Sequence, residues 1–530
     1  MSKEGEMKTA EEFKFRKPGE VRCRFAPAPT GVLHIGGSRT ALFNYLFARK
    51  YAGVFILRIE DTDTERSKPE YEKDIMESLK WLGIEWDGQL YRQSERLKSY
   101  SKYLEKLLQE NKAYYCFCSE EELEDQKQYQ LSIGEAPRYS GKCANLSRKE
   151  VERLRKAGKP AVIRFKVPAK KIEFDDLIRG KLEFETSLIG DFVIAKNLNV
   201  PLYNFSCVVD DFEMKISHVI RGEEHISNTP KQILLQEALN FPTPLYAHLP
   251  MILAPNRTKL SKRHAAVGIS EYRKEGYLAE ALVNFMAFLG WNPGGEREIY
   301  SMPSLIKEFS LERVQKGGAV FNIKRLDFLN SFYIRHRSVE KLTELCLPYL
   351  VEAEFIEPIF ETRERVPDLT GYFGKEIMQN YIISRTKEKI NFEHLKKIIA
   401  IYQERLRKLS EIVELTDFFF MDKLEYDKNL LKWKEMSDGE IKNSLEKLEK
   451  IISKIESNDF VKENLEKILI YEAEEFAKKL GKVGDKGYLL WPLRVALTGK
   501  EASAGPFEIA VILRKEKTLK RIKEAKEKLQ

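Results

Sequence analysis

The stretch Arg24-Phe-Ala-Pro-Ala-Pro-Thr-Gly-Val-Leu-His-Ile-Gly-Gly-Ser-Arg39 decides the fold of this chain. Before it, Val21 to Ala26 is apolar and β-forming. After it, Ser38 to Tyr51 carries a helical pattern, and Val54 to Glu60 is again rich in β-formers. Strand, glycine turn, helix and strand in this order make a βαβ unit. Such a unit needs parallel strands and opens a ligand crevice at their carboxyl ends. The turn suits an anion: Gly36 and Gly37 allow a phosphate close to the backbone, the helix dipole attracts negative charge, and His34 stands beside it as a donor. Pro27 and Pro29 stiffen the approach, so the loop keeps one shape without ligand.

Further along, strand-like segments recur at Ala161 to Val167, Asp191 to Ala195, Lys215 to Ile220 and His248 to Leu253. A second charged motif, Lys259-Leu-Ser-Lys-Arg263, follows the loop Ala254-Pro-Asn-Arg-Thr258. Two lysines around a serine form a compact cation, suited to the charge that develops as a phosphoryl group transfers. Beyond about Ser270 the character changes. Leu278 to Leu289 is apolar and helical, and from Val339 onward amphipathic helix rich in Lys and Glu dominates, with Glu393 to Leu415 and Asp438 to Ile455 as long proline-free patterns. The spacing therefore predicts an α/β front and an all-α back, without internal repeats.

Length and composition exclude several classes. At 530 residues and 43% apolar, the chain is expected to hold about three or four domains. Charged residues make up 32%, and no apolar run approaches the roughly 18 residues needed to cross a bilayer. Six cysteines are too few for a disulfide-stapled mini-protein. Glu4, Glu6, Glu11 and Glu12 near the start fit neither a secretory signal nor a transit peptide, so the expectation is a cytoplasmic protein with reduced thiols. The formal charge of +8 is mild, but the segment from Arg514 holds eight Lys or Arg against three acidic residues. That local excess suits a polyanion such as nucleic acid, or else a solvated amphipathic end helix.

The loop at His34 and the lysine motif, 225 residues apart, together resemble the paired signatures of class I aminoacyl-tRNA synthetases. With Arg58-Ile-Glu-Asp-Thr-Asp-Thr-Glu-Arg-Ser67, Tyr203-Asn-Phe205 and His218-Val-Ile-Arg-Gly-Glu-Glu-His225, the resemblance narrows to the bacterial-type glutamyl-tRNA synthetases. It runs from about Val21 to the end, through Phe321-Asn-Ile-Lys-Arg-Leu-Asp-Phe-Leu-Asn330 and Pro492-Leu-Arg-Val-Ala-Leu-Thr-Gly499. The resemblance implies a Rossmann-type nucleotide-binding domain in two halves, 20–112 and 208–267, with an inserted α+β acceptor-end-binding domain over 113–207. A helical stem-contact domain over 268–345 and an all-helical anticodon-binding region over 346–530 would follow.

By the same resemblance, the chain activates L-glutamate with ATP and Mg²⁺ and passes it to tRNA(Glu), with tRNA(Gln) as a second acceptor left open, acting as a monomer without a membrane. A substrate with two carboxylates and one ammonium calls for two guanidinium forks and one buried acid. Arg24, Arg221 and Glu60 supply that set, with Ala26, Ala28, Tyr203 and Asn204 lining the glutamate pocket. Thr30, Gly31, His34, Gly36, Gly37, Lys259, Ser261 and Lys262 fall to ATP, with His34, Lys259 and Lys262 as the catalytic groups. Arg405 is the candidate for reading the third anticodon base. Cys116, Cys118 and Cys143 match three ligands of a Zn²⁺ site in some family members, but Asn145 stands where the fourth would be. Departures from the family pattern include Ala28 where serine is frequent, Ala265 where glycine is usual and Arg514 where glycine is common. A tRNA-independent nucleotidyltransferase and a tRNA-binding scaffold with a dead site are the alternatives; intact His34, Glu60, Lys259 and Lys262 argue against the scaffold.

Overall fold

The computed structural model describes residues 20–260, 267–359 and 380–529. The chain divides into two compact units, one comprising residues up to Arg273 with Ala279–Leu326, the other Lys274–Leu278 with Asp327 onward. In the first unit, β1 (Arg22–Phe25), α1 (Ile35–Lys50) and β2 (Val54–Ile59) form the expected βαβ unit. The strands pair in parallel, Arg22 opposite Val54 and Phe25 opposite Leu57. Gly53 enters β2 where a side chain could not, because a Cβ there would lie 2.2 Å from the carbonyl oxygen of Val21.

The strand His218–Gly222 runs beside β1, its approach fixed by the amide of Ser217 donating to Arg22 O at 3.0 Å. It heads a four-stranded sheet that continues through Leu245–Leu249 and Lys171–Asp176 to Gly180–Glu185. The last two strands form an antiparallel hairpin, and Asp176 joins the parallel part opposite Tyr246. The strand expected from Lys215 starts only at His218, because Lys215 itself turns left-handed at φ 54°. The segment His248 to Leu253 is two strands, split between Leu249 and Ile252 at Pro250. A separate four-stranded antiparallel sheet contains Ala113–Cys116, Val162–Phe165, Phe192–Asn197 and Val200–Pro201. Both regions share a core that includes Tyr100, Leu104, Ile163, Phe205 and Val219.

The second unit is mainly helical, with the long helices Asp438–Lys454, Lys462–Lys479 and Pro506–Glu527. It differs from the sequence expectation in two places. The pattern Glu393 to Leu415 is not one helix: Phe392–Ala400 ends, a 3₁₀ turn spans Gln403–Arg405, and a short helix resumes at Glu411–Thr416. The reason is Gln403, whose buried side-chain amide is shared among the carbonyls of Ile334, Arg335 and Arg337 at 2.9, 3.2 and 2.7 Å. It thereby satisfies the open end of the helix Ile323–Arg335. A small antiparallel sheet, Ile356–Pro358, Asn380–Ile383 and Lys389–Asn391, also stands among the helices. Strands of three or four residues leave too few alternations to show in a sequence pattern. No helix of the described residues is long and apolar enough to cross a membrane.

Candidate active site

The crevice at the carboxyl ends of β1 and the strand His218–Gly222 opens into a cavity of about 880 Å³. Arg24, Ala26, Ala28, Thr30, Gly31, His34, Gly36, Gly37, Glu60, Tyr203, Arg221 and Lys259 all line it, although the sequence spreads them over more than 200 positions. Asn204 is not among the lining residues. It is engaged with Asn228 at 3.4 Å and Gln232 at 3.2 Å. Ser261 and Lys262 lie outside the described residues.

The proline-rich loop owes its shape to more than its prolines. Pro27 O accepts from the amide of Glu60 at 2.9 Å, Pro29 O from that of Lys68 at 3.0 Å, and Leu33 donates its amide to Asp74 at 2.7 Å. His34 then caps α1: its Nδ1 accepts from the amides of Gly36 and Gly37 at 3.1 and 3.3 Å. An Nδ1 that accepts is unprotonated, so the ring hydrogen sits on Nε2 and makes that nitrogen the donor. The two glycine amides assigned to phosphate are thus occupied by the imidazole. A Cβ on Gly36 would press within 3.1 Å of that ring, so this glycine makes room for the histidine. Burial lowers the His34 pKa, with Lys259 adding to the effect and Glu224 opposing it, so the neutral ring is the form at neutral pH.

Deeper in, two arginines meet three carboxylates. Asp211 grips Arg24 through Nε at 3.1 Å and Nη2 at 3.3 Å, and takes Nη1 of Arg58 at 2.7 Å. Arg58 also holds Glu60 at 3.0 Å and faces Asp210 at 3.7 Å. Burial raises the pKa of Glu60, with Arg58 pulling the other way. The fork of Arg24 is therefore already half engaged. Arg221 is different: its partners are the neutral His248 and Thr229, it stacks over the ring of Tyr246 at 5.4 Å, and its Nη1 is buried without a hydrogen-bond partner among the described residues. Arg221 lines the cavity, and a buried guanidinium nitrogen at such a wall that lacks an acceptor is a place for an anionic ligand oxygen. Tyr203 touches His225 through its hydroxyl at 3.2 Å, and burial keeps His225 neutral with a pKa of about 4.

Sequence reasoning passed over Arg58, Asp211, His225 and His248 as working residues. Arg58 was within reach, since it stands two residues from Glu60 on β2 and so shares its face. His225 closes the quoted motif from His218, whereas Asp211 and His248 come from elements more than 150 positions away from β1, with no local signal.

Away from this cavity, ligand atoms of Cys116, Cys118 and Cys143 lie within 4.8 Å of one another. Asn145 is exposed. The hydroxyl of Tyr139 instead approaches Sγ of Cys116 and of Cys118 at 3.4 Å each and accepts the amide of Cys143 at 2.9 Å. The Arg164 guanidinium lies 4.0 Å over the Tyr139 ring. Burial opposes ionisation of Cys116, but Tyr139, the Cys118 amide and Arg164 outweigh it and lower its pKa. Burial and the neighbouring Cys116 push Cys118 up to about 11. Three thiols and a phenol at one point form a donor set that fits a tetrahedral soft cation such as Zn²⁺. In the second unit, Arg405 is exposed in the 3₁₀ turn, and its charge lowers the pKa of Arg494 after burial has done so.

The catalytic-domain model of class I tRNA synthetases for E and Q matches residues 20–328, and an anticodon-binding domain model matches residues 341–526. A glutamate–tRNA ligase of Caldicellulosiruptor saccharolyticus is 47% identical over 95% of this chain and 98% of its own length. One from Carboxydothermus hydrogenoformans is 45% identical over 93% and 97%. Among solved structures, a glutamate–tRNA ligase of Elizabethkingia meningosepticum in complex with its amino acid superposes with a TM-score of 0.80 at 34% identity, covering 96% of this chain and all of that one.

Proposed function

The chain belongs to the glutamate–tRNA ligases, a family of class I aminoacyl-tRNA synthetases, and from that premise we propose that it joins L-glutamate to tRNA(Glu) at the cavity described above. The buried Nη1 of Arg221, without a hydrogen-bond partner among the described residues, carries this reading. The α-carboxylate must meet ATP at the His34 end, so the side-chain carboxylate goes deepest, to Arg221. Glu60 faces the substrate ammonium, and Arg24, steadied by Asp211, shares the carboxylate load with Tyr203.

ATP lies along Thr30, Gly31 and the start of α1, where the Nε2–H of His34 donates to the α-phosphate as the α-carboxylate attacks it in line. Lys259 and Lys262 add positive charge against the pentacovalent state and the departing pyrophosphate, with Ser261 between them. Mg²⁺ bound with ATP supplies charge neutralisation at the phosphates. The ribose hydroxyl of the terminal adenosine of tRNA then attacks the adenylate carbonyl, the mixed-anhydride bond breaks, and AMP leaves as the glutamyl ester forms. We assign 113–207 to the acceptor end, 268–345 to the stem and 346–530 to the anticodon. Arg405, exposed and close enough for its charge to lower the pKa of Arg494, supports an anionic partner there. Zn²⁺ at the three cysteines, with Tyr139 in place of Asn145, would fix the local loops of the acceptor-end module. Action as a monomer in the cytoplasm completes the reading.

Glutamate-dependent exchange of pyrophosphate into ATP in the presence of tRNA tests it. Absence of exchange would return the chain to an RNA-binding scaffold, and exchange without any tRNA requirement for transfer to an acceptor would favour a simpler nucleotidyltransferase. Charging of purified tRNA(Glu) and tRNA(Gln) side by side decides whether one acceptor or both are used.

A further inference from the structure

Arg221 is held from behind by a chain of two buried residues that the reaction itself does not use. Its Nε–H points at Nε2 of His248 at 3.2 Å, Nη2 donates to the Thr229 hydroxyl at 2.7 Å, and that hydroxyl lies 3.0 Å from the same Nε2. For Nε2 to accept, it must carry no hydrogen. The other side of the ring arranges this: Nδ1 of His248 lies 2.7 Å from Oδ2 of Asp176, and a carboxylate only accepts. The hydrogen therefore sits on Nδ1 and the lone pair on Nε2. Both side chains are fully buried.

Asp176 cannot turn away from this task. Its Oδ1 accepts from the amides of Ile178 and Arg179 at 3.0 and 2.8 Å, which close the turn of the hairpin, and its Oδ2 also takes the His248 amide at 3.1 Å. The hairpin belongs to the segment inserted between the two halves of the nucleotide-binding domain, so a residue of that insert reaches the glutamate pocket through one imidazole. Burial lowers the His248 pKa against the pull of Asp176, and the ring stays neutral. A neutral ring leaves the whole charge of Arg221 to the cavity, where a carboxylate gains from it and a carboxamide does not.

We propose that Asp176 and His248 are positioning residues for substrate choice: they lock the Arg221 guanidinium in the pose that leaves Nη1 free for the side-chain carboxylate of glutamate. The proposal rests on the reading of Arg221 given above.

The test is steady-state kinetics of the full-length enzyme with tRNA present, varying glutamate and ATP separately. In Asp176→Asn the amides of Ile178 and Arg179 claim the oxygen, to which the His248 amide also lies 3.4 Å away, so the new NH₂ faces Nδ1, drives the ring hydrogen to Nε2 and sets it against the Arg221 Nε–H. Glutamate KM should rise about tenfold or more, while kcat and ATP KM stay within about twofold. His248→Gln keeps an acceptor near Arg221, and His248→Met fills the space without one; the first should retain much of the wild-type glutamate KM and the second should not. If His248→Met fails to fold, the shape-preserving Asp176→Asn decides.

Arg221→Met is measured in parallel. A normal glutamate KM in that variant overturns the reading of the pocket. A raised KM there with normal values in Asp176→Asn and His248→Met overturns only the positioning role. Equal KM in His248→Gln and His248→Met, or a fall in kcat alone, also overturns it.

Discussion

The imidazole of His34 uses one nitrogen for the helix and leaves the other for chemistry, and the two uses can be separated. His34→Ala removes both the cap and the donor; His34→Asn restores a side-chain oxygen at the cap position but not the reach of Nε2. The cap is worth about 1 kcal/mol, so the melting point should drop in the alanine variant and largely recover in the asparagine variant. Single-turnover adenylate formation should fall by about 10² or more in both. A near wild-type rate in either would take Nε2 out of the mechanism. Arg514 shows the opposite case of a residue at odds with its backbone. It stands at φ 64° and ψ 163° inside the last long helix, a conformation that glycine alone adopts without strain. Arg514→Gly should stabilise the fold by on the order of 1 kcal/mol, read as a higher denaturation midpoint. A loss of stability would mean that the arginine side chain holds more than its strain costs.

The helix Pro506–Glu527 was open to two readings from its charge, and its contacts favour the internal one. Lys515 donates to the carbonyls of Ser453 and Ile455 at 2.9 and 2.6 Å, closing the end of the helix Asp438–Lys454. Lys517 reaches Phe419 O at 3.1 Å, Lys520 pairs with Asp422, Lys526 pairs with Glu449, and Arg521 is buried against the carbonyls of Leu497, Phe418 and Met421. Lys515→Met should therefore destabilise the protein by about 1 kcal/mol and leave the salt dependence of tRNA affinity unchanged. A shallower salt slope would return this helix to the RNA surface. For the strand Ala113–Cys116 and the loop beyond it, the measurement is metal content of protein purified without a His tag or chelator. Stoichiometric zinc, lost in Cys118→Ser and weakened in Tyr139→Phe, is expected; active protein free of zinc would leave this module to its packing.

Across the whole molecule, the buried His218 and the half-buried His394 add to the loss of stability in acid. Burial lowers His218 in the first unit and His394 in the second to a pKa of about 4 each. In the unfolded chain the same rings take up protons below about 6.5. As pH falls from about 6.5 towards 4, the unfolded state binds protons that the folded state refuses, so folding stability is lost over that window and is fully present above it. For His218, which is completely buried, the loss reaches at most about 3 kcal/mol. Urea unfolding at pH 7 and at pH 4.5 should show a lower midpoint at the acid end, and an equal midpoint at both would contradict the neutral buried rings.

Adjacent residues and regular periods made much of this protein legible in advance. The β-forming runs of β1 and β2, the glycine turn and the helical run of α1 are local, so the βαβ unit and the crevice above it could be read from a single stretch, and the residues at that crevice line one cavity. The charge state of each arginine's surroundings was not legible. Arg24 is held by Asp211 across 187 positions, and Arg221 is oriented through His248 by Asp176, which lies 72 positions from that histidine. Tyr139 stands at the thiols where sequence spacing pointed to Asn145, and Gln403 breaks a helix whose pattern runs on without interruption. In each case the deciding term is a hydrogen bond or the burial of a charge between segments that meet only once the chain has folded. Side-chain period records which face of an element is buried; which polar group waits on the other side is decided by the tertiary structure alone.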